Sequence, residues 1–156
     1  MLFRTHLVFG LAVYFVLSFL LEFENMALFL AFVLIGAVFV DIDSKKSRAG
    51  NNLLLRPLQL FVRHRGSFHS LLFGVLISLA VAFFSRVAGI GFFAGYLSHL
   101  FLDSLTPAGV RIFWPLSRKK FGFGIRSGGM FEDVVFVLLL LFDVFMVGRW
   151  VFNYLF

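Results

Sequence analysis

Long apolar stretches separated by short polar segments dominate the pattern of hydrophobic and polar positions along this chain. A helix needs about 20 residues to cross a bilayer, and several of the stretches approach that length. We therefore predict an all-α bundle with about five transmembrane helices. The apolar stretches are Leu7 to Leu21, Met26 to Val40, Ser70 to Phe84, Val87 to Leu102 and Val134 to Phe156.

Composition supports the membrane interpretation. Hydrophobic residues make up 61% of the 156 residues, 25 of them phenylalanine, and the mean hydropathy is +0.99, which is outside the range of soluble globular domains. The first stretch follows Arg4 like a signal peptide, but Glu22 and Glu24 stand where a small-residue cleavage site would be expected. We interpret it as a helix and expect residues 1–156 to form a single membrane-embedded domain.

Basic residues are concentrated in two of the segments between the apolar stretches. The opposite connections hold only Arg86 against Glu22 and Glu24. By the positive-inside rule, this places the N-terminus and both basic loops in the cytoplasm and the C-terminus outside. The basic loop residues are Lys45, Lys46, Arg48, Arg56, Arg63, Arg65, Arg111, Arg118, Lys119, Lys120 and Arg126.

The net charge of +6 lies almost wholly at that face, where it would attract anionic membrane lipid. Setting the topology is a sufficient role for most of these cations. We expect no nucleic acid partner, because no binding module is recognisable.

All four histidines fall at predicted cytoplasmic helix ends or in cytoplasmic loops, and three aspartates do the same. His99 and Asp103 are spaced i, i+4, so both project from one helix face within reach of a single ion. Without cysteine, any metal must be held by histidine and carboxylate. The candidate ligands are His6, Asp41, Asp43, His64, His69, His99 and Asp103.

This ligand set is typical of zinc, manganese or iron. Seven candidates exceed the needs of one ion, which favours two ions that share a carboxylate and activate a water for hydrolysis. Asp41 or Asp43 would be the bridging ligand or the general base, and the sequence leaves both assignments open. Arg65 and Arg126 are the candidates for binding a phosphate or carboxylate of the substrate.

The motifs THLVFG, DID, HRGSFHS and GYLSHLFLDSLTPAG, with WP after them, resemble the YdjM-like family of membrane-bound metal-dependent hydrolases over nearly the whole chain. Phe68 replaces the threonine usual before the second histidine. The resemblance implies a helical membrane hydrolase with ligands at His6, Asp41 or Asp43, His64 or His69, His99 and Asp103. More distantly, the pattern resembles zinc-dependent phospholipase C, whose multinuclear zinc site uses later histidines that this chain lacks. We expect one to three divalent metal ions, zinc before manganese or iron. Glu132 would be a late carboxylate ligand, or an acid favoured by the helix dipole.

We therefore expect a hydrolase acting on an ester or phosphoester bond of a lipid or lipid-linked phosphate substrate at the cytoplasmic interface. One alternative is a metal-free phosphatase of the phosphatidic acid type, which shares an HxxxD pair, although its lysine-rich motif and SGH segment are absent. A metal ion transporter is the other alternative, but it predicts ligands near the middle of the membrane. Asp143 lies far along its helix from the site, and we expect it to pair with a polar group of another helix.

Overall fold

The computed structural model describes residues 1–43 and 67–155, and it has five α-helices within them. Two short 3-10 turns, Val40–Asp43 and Ser67–His69, stand at helix ends. The described residues form no strand, only an isolated bridge between Val110 and Phe121. The predicted all-α class is therefore confirmed. The helices are α1 (Phe3–Leu20), α2 (Met26–Phe39), α3 (Leu71–Phe84), α4 (Arg86–Ser104) and α5 (Met130–Leu155).

Three of the helices extend beyond the apolar stretches that predicted them. α1 includes His6, α4 continues through Asp103, and α5 includes Glu132. The reason is that backbone hydrogen bonds continue to form where the side chains become polar, so hydropathy does not mark the end of a helix. His6, His99, Asp103 and Glu132 therefore lie on regular helix.

Two of the described helices are long and apolar enough to cross a membrane, over Phe3–Leu20 and Met130–Asn153. α2 and α3 have 14 residues each, which corresponds to about 21 Å of rise. This is shorter than the hydrocarbon core of about 30 Å.

Glycine allows α2 and α4 to pack with their backbones in contact. A Cβ on Gly95 would lie 1.9 Å from the carbonyl oxygen of Val33, and one on Gly36 would lie 2.2 Å from that of Phe92. Gly91 and Gly95 have the spacing of the small-residue motif of membrane helix pairs. This close packing places the end of α2 directly beside the polar end of α4.

Two connections are short: residues 21–25 join α1 to α2, and Ser85 alone joins α3 to α4, so the helices of each pair run in opposite directions. Tyr96 fixes the start of α3 on α4, because its hydroxyl lies 2.6 Å from the carbonyl oxygen of Phe68 and 2.9 Å from that of Ser70. Alternation brings the starts of α1, α3 and α5 together with the ends of α2 and α4. The polar cluster lies at this end of the bundle.

Candidate metal centre

Five of the predicted ligands meet at this end of the bundle, although they come from four separate elements of the chain. α1 supplies His6, α4 supplies His99 and Asp103, and the two 3-10 turns supply Asp41 and His69. His6, His69, His99 and Asp103 are at most 2% exposed. Polar side chains this deeply buried require partners, because desolvation would otherwise be costly.

Asp103 lies at the centre of the cluster. Its Oδ1 is 3.4 Å from Nε2 of His6, and its Oδ2 is 3.6 Å from Nε2 of His69. Nε2 of His99 lies 3.8 Å from the same Oδ2. Each carboxylate oxygen thus faces a different part of the cluster. The bridging role of Asp41 or Asp43 stays a prediction.

The protein environment fixes the tautomer of His99. Its Nδ1 donates a hydrogen bond of 2.7 Å to the carbonyl oxygen of Ala37, so Nε2 carries the lone pair. Nε2 is buried and has no hydrogen-bond partner among residues 1–43 and 67–155. It faces two carboxylates, with Oδ1 of Asp41 also 3.8 Å away. A backbone carbonyl behind the imidazole is the outer partner that metal-binding histidines usually have.

The distances between the facing atoms fit ligands of one ion better than direct hydrogen bonds. N–H···O bonds usually measure about 2.7–3.2 Å, shorter than the 3.4–3.8 Å found here. Nitrogen and oxygen bind zinc at about 2.0–2.2 Å, so two ligands of a tetrahedral ion lie about 3.4 Å apart. The spacing and the donor types therefore fit a transition metal such as zinc.

The potential ligand atoms form two overlapping groups. One contains His6, His99 and Asp103, and the other contains Asp41, His69 and His99. His99 belongs to both, but only its Nε2 is available because Nδ1 is bonded to Ala37. One nitrogen binds one ion, so the two groups cannot both use His99 at the same time. Among the described residues, His99 can therefore bind only one ion at a time, and the arrangement suits one ion better than two.

Asp41 differs from the other ligands in its surroundings. Its side chain is 15% exposed, whereas the other side chains of the cluster are almost completely covered. It stands in the 3-10 turn beyond the end of α2. Burial raises the pKa of the Asp41 carboxyl; the nearby imidazole of His6 opposes this rise, and the charge of Asp103 adds to it. A partly open carboxyl with a raised pKa is suited to exchanging a proton with water.

Glu132 is fully buried, but three protein donors already occupy its carboxylate. Oε1 accepts from the backbone nitrogen of Leu2 at 2.6 Å and from the hydroxyl of Thr5 at 2.8 Å. Oε2 accepts from the backbone nitrogen of Gly128 at 2.6 Å. It belongs to neither group of potential ligand atoms. These contacts indicate a positioning residue that holds the start of α1, and with it His6.

Of the remaining predicted site residues, Arg126 alone has a side chain that the structure describes. Arg126 is exposed in the segment between α4 and α5. His64 and Arg65 lie outside the described residues. Asp43 ends the 3-10 turn that holds Asp41, and its side chain also lies outside what the structure describes. The roles predicted for His64, Arg65, Arg126 and Asp43 therefore stay predictions.

Sequence reasoning missed two contributors to this end of the bundle. The amino group of Met1 lies 2.7 Å from Oδ1 of Asp103. Arg111 has a buried Nε without a hydrogen-bond partner in the described part of the chain. Its neighbour Ile112 accepts a hydrogen bond from the backbone nitrogen of Leu71, two residues after His69. The sequence shows that the loop containing Arg111 is basic, but nothing in it distinguishes this arginine from its basic neighbours.

The helical bundle, its apolar outer surface and the polar cluster at one end define a helical membrane protein. The chain belongs to the YdjM family, since the family described as YdjM inner membrane protein matches residues 1–155. It is 35% identical over 120 residues to the inner membrane protein YdjM of Escherichia coli (strain K12), and equally to that of Shigella flexneri.

Each alignment covers 68% of this chain and 60% of the relative, so the chain spans less than two thirds of the curated relatives it matches. No solved structure matches it. The predicted family and membrane localisation are therefore confirmed. The more distant resemblance to zinc-dependent phospholipase C stays a prediction.

Proposed function

We propose that this protein is a membrane-bound metal-dependent hydrolase that cleaves an ester or phosphoester bond of a lipid or lipid-linked substrate. The observation that carries the proposal is Nε2 of His99. It is buried, lacks a hydrogen-bond partner among the described residues, and faces the carboxylates of Asp41 and Asp103. Keeping such a nitrogen unsatisfied costs free energy that a bound cation would recover.

In this proposal His6, His69, His99 and Asp103 hold the metal. A bound zinc ion supplies Lewis acidity and lowers the pKa of water to near neutrality; manganese or iron would suit the same donors. Ala37 orients His99 through its carbonyl oxygen. Glu132 holds the start of α1, the helix that carries His6, through its hydrogen bonds with Leu2 and Thr5.

Asp41 is the proposed general base. Its carboxyl is the most open of the cluster and lies 3.8 Å from His99, so it can take a proton from water at the edge of the site. Asp43 stays the alternative for this role. Arg65 and Arg126 are the proposed binders of the substrate anion, and Arg111, whose Nε is buried without a hydrogen-bond partner among the described residues, adds a third candidate.

The location of the cluster supports a lipid substrate. It lies at one end of the apolar helices. The ends of a helix that crosses the hydrocarbon core stand at headgroup depth, where a lipid ester is accessible. We propose that this is the cytoplasmic face, on the evidence of the basic loops.

Elemental analysis of the detergent-purified full chain tests the metal. We expect about one zinc, manganese or iron ion per chain in the wild type and its loss in His99→Ala and Asp103→Asn. Asp133→Asn is the matched control, because Asp133 is an acid at the same end of the bundle whose side chain is 53% exposed and contacts Arg4. It should retain the metal.

The same four proteins are then assayed for hydrolysis of phosphatidylglycerol and phosphatidic acid in vesicles. Activity that is lost in both site variants and in the wild type after chelation supports the hydrolase. Hydrolysis by a metal-free wild type would contradict the metal-dependent mechanism in favour of the phosphatidic-acid-type phosphatase. Equal metal content in all four proteins would show that the cluster is not the metal site.

A further inference from the structure

An apolar groove of about 420 Å³ lies between α1 and α4, on the membrane-facing side of the candidate metal centre. Its lining is almost entirely hydrocarbon. Ser98 is the one polar side chain in it, and the hydroxyl of Ser98 already donates to the carbonyl oxygen of Gly95 at 2.6 Å. Nothing in the lining therefore requires water, and the groove suits a purely apolar ligand.

The groove begins beside the metal centre. Phe9 follows His6 by three residues on α1, and Phe101 lies between His99 and Asp103 on α4. The rings of Phe9 and Phe101 stack with their centroids 5.8 Å apart at this end. The helices that carry the site therefore also carry the groove, and the groove ends at the helix level of the metal ligands.

The length of the groove fits one leaflet of a bilayer. Along α4 it runs from Phe101 to Ile90, which is 12 residues and about 16 Å from the first to the last. Half of the hydrocarbon core of a bilayer is about 15 Å thick. The groove is also open along its side, since Ile90 is 46% and Phe101 54% exposed. A hydrocarbon chain can thus enter sideways from the membrane and fill the whole groove.

We propose that the groove between α1 and α4 binds one acyl chain of a glycerophospholipid substrate and so places its headgroup ester at the metal centre. This inference rests on the proposed function and names where the substrate lies. A tail bound over its full length fixes the depth of the headgroup, which brings the scissile bond to Asp103 and His99 rather than to the solvent beyond them.

Photo-cross-linking of the full chain in phosphatidylglycerol vesicles tests the groove, with a minor fraction of the lipid carrying a diazirine on its acyl chain. We expect Leu97, which is 37% exposed in the groove, to carry several-fold more cross-links than Val137 of α5, which is 50% exposed outside it. Ala94→Trp fills the groove and should reduce labelling there several-fold, whereas Val137→Trp should not. If Ala94→Trp does not fold, Val13→Trp fills the groove from the α1 wall.

Labelling that follows exposure alone, or that Ala94→Trp and Val13→Trp leave unchanged, would overturn the groove as a tail site. The experiment is repeated after chelation, where labelling should persist because the groove contains no metal ligand. Hydrolysis with uniform labelling would overturn the groove alone. Groove labelling without metal or hydrolysis would overturn the proposed function and, with it, the identification of the bound lipid as a substrate.

Discussion

The carboxylate of Glu132 accepts hydrogen bonds from two backbone nitrogens and one hydroxyl. Glu132 therefore has the clearest structural role of a single residue in the described chain. Glu132→Gln keeps the shape but replaces one acceptor oxygen by an NH₂ group. We expect the free energy of unfolding to fall by about 2 kcal/mol, because hydrogen bonds to a charged group are lost. Metal affinity should fall about tenfold, because the start of α1 positions His6. Thermal unfolding in detergent and competition with a chelator measure the two effects.

Asp133→Asn is the control for Glu132→Gln, since it changes a neighbouring acid that is half exposed. An exposed ion pair contributes about 0–1 kcal/mol, so stability should change little. Complete loss of metal with unchanged stability in Glu132→Gln would contradict the positioning role. It would instead support Glu132 as a metal ligand.

Asp143 is the opposite case, a buried acid on α5 whose carboxylate oxygens have no hydrogen-bond partner among the described residues. The predicted pairing with a polar group of another helix is not seen there. A buried polar group without a partner costs about 1–3 kcal/mol. We expect Asp143→Ala to raise the midpoint of thermal unfolding and to leave metal content unchanged. A lower midpoint would indicate that the carboxyl has a partner that stabilises the fold.

At the scale of elements, the packing of α2 on α4 determines the geometry of the metal centre. A Cβ on Gly95 would lie 1.9 Å from the oxygen of Val33 and 2.8 Å from the nitrogen of Ala37. Gly95→Ala must therefore separate the helices and lengthen the hydrogen bond from His99 to Ala37. We expect a loss of more than about 2 kcal/mol in stability and weaker metal binding, measured by thermal unfolding and chelator competition.

Gly148→Ala is the matched control for Gly95→Ala. Gly148 lies in α5, and a Cβ there would meet nothing within 4 Å. Alanine in an open helical position should stabilise the protein by about 0.5–1 kcal/mol. If the two substitutions have equal effects, close helix packing does not control the site.

The existence of the five helices could be predicted from the apolar stretches, because a chain in a bilayer must satisfy its backbone hydrogen bonds within each segment. The residues at which the helices begin and end could not be predicted in this way. The predicted first span begins at Leu7, whereas α1 begins at Phe3 and includes His6. The close approach of α2 and α4 could not be predicted either, because it depends on the relative placement of Gly36 and the glycines of α4, which no local pattern encodes.

At the scale of the whole molecule, alternating helix direction explains why His6, His69, His99 and the two aspartates could be predicted to converge. Their detailed roles could not be predicted. Asp103 is central because residues distant in sequence, among them Met1 and His6, contact it. The available nitrogen of His99 depends on the carbonyl oxygen of Ala37, 62 residues earlier. Such contacts follow from packing, which the sequence specifies only through the complete fold.

The orientation of the whole molecule in the membrane decides which leaflet supplies the substrate. The chain has no cysteine, so single cysteines give an unambiguous signal. Ser127→Cys marks the exposed segment at the metal-centre end, and Asn153→Cys marks the far end of α5. In intact cells we expect a membrane-impermeant maleimide to label Asn153→Cys only, because the basic loops should remain in the cytoplasm.

Ser127→Cys should be labelled only after the cells are permeabilised, which also controls for the reactivity of both thiols. The reverse result would place the metal centre at the outer face, where the substrate would have to come from the outer leaflet. Labelling of both positions in intact cells would be incompatible with α5 crossing the membrane. That result would also contradict the hydropathy of α5, which is the more apolar of the two candidate spans.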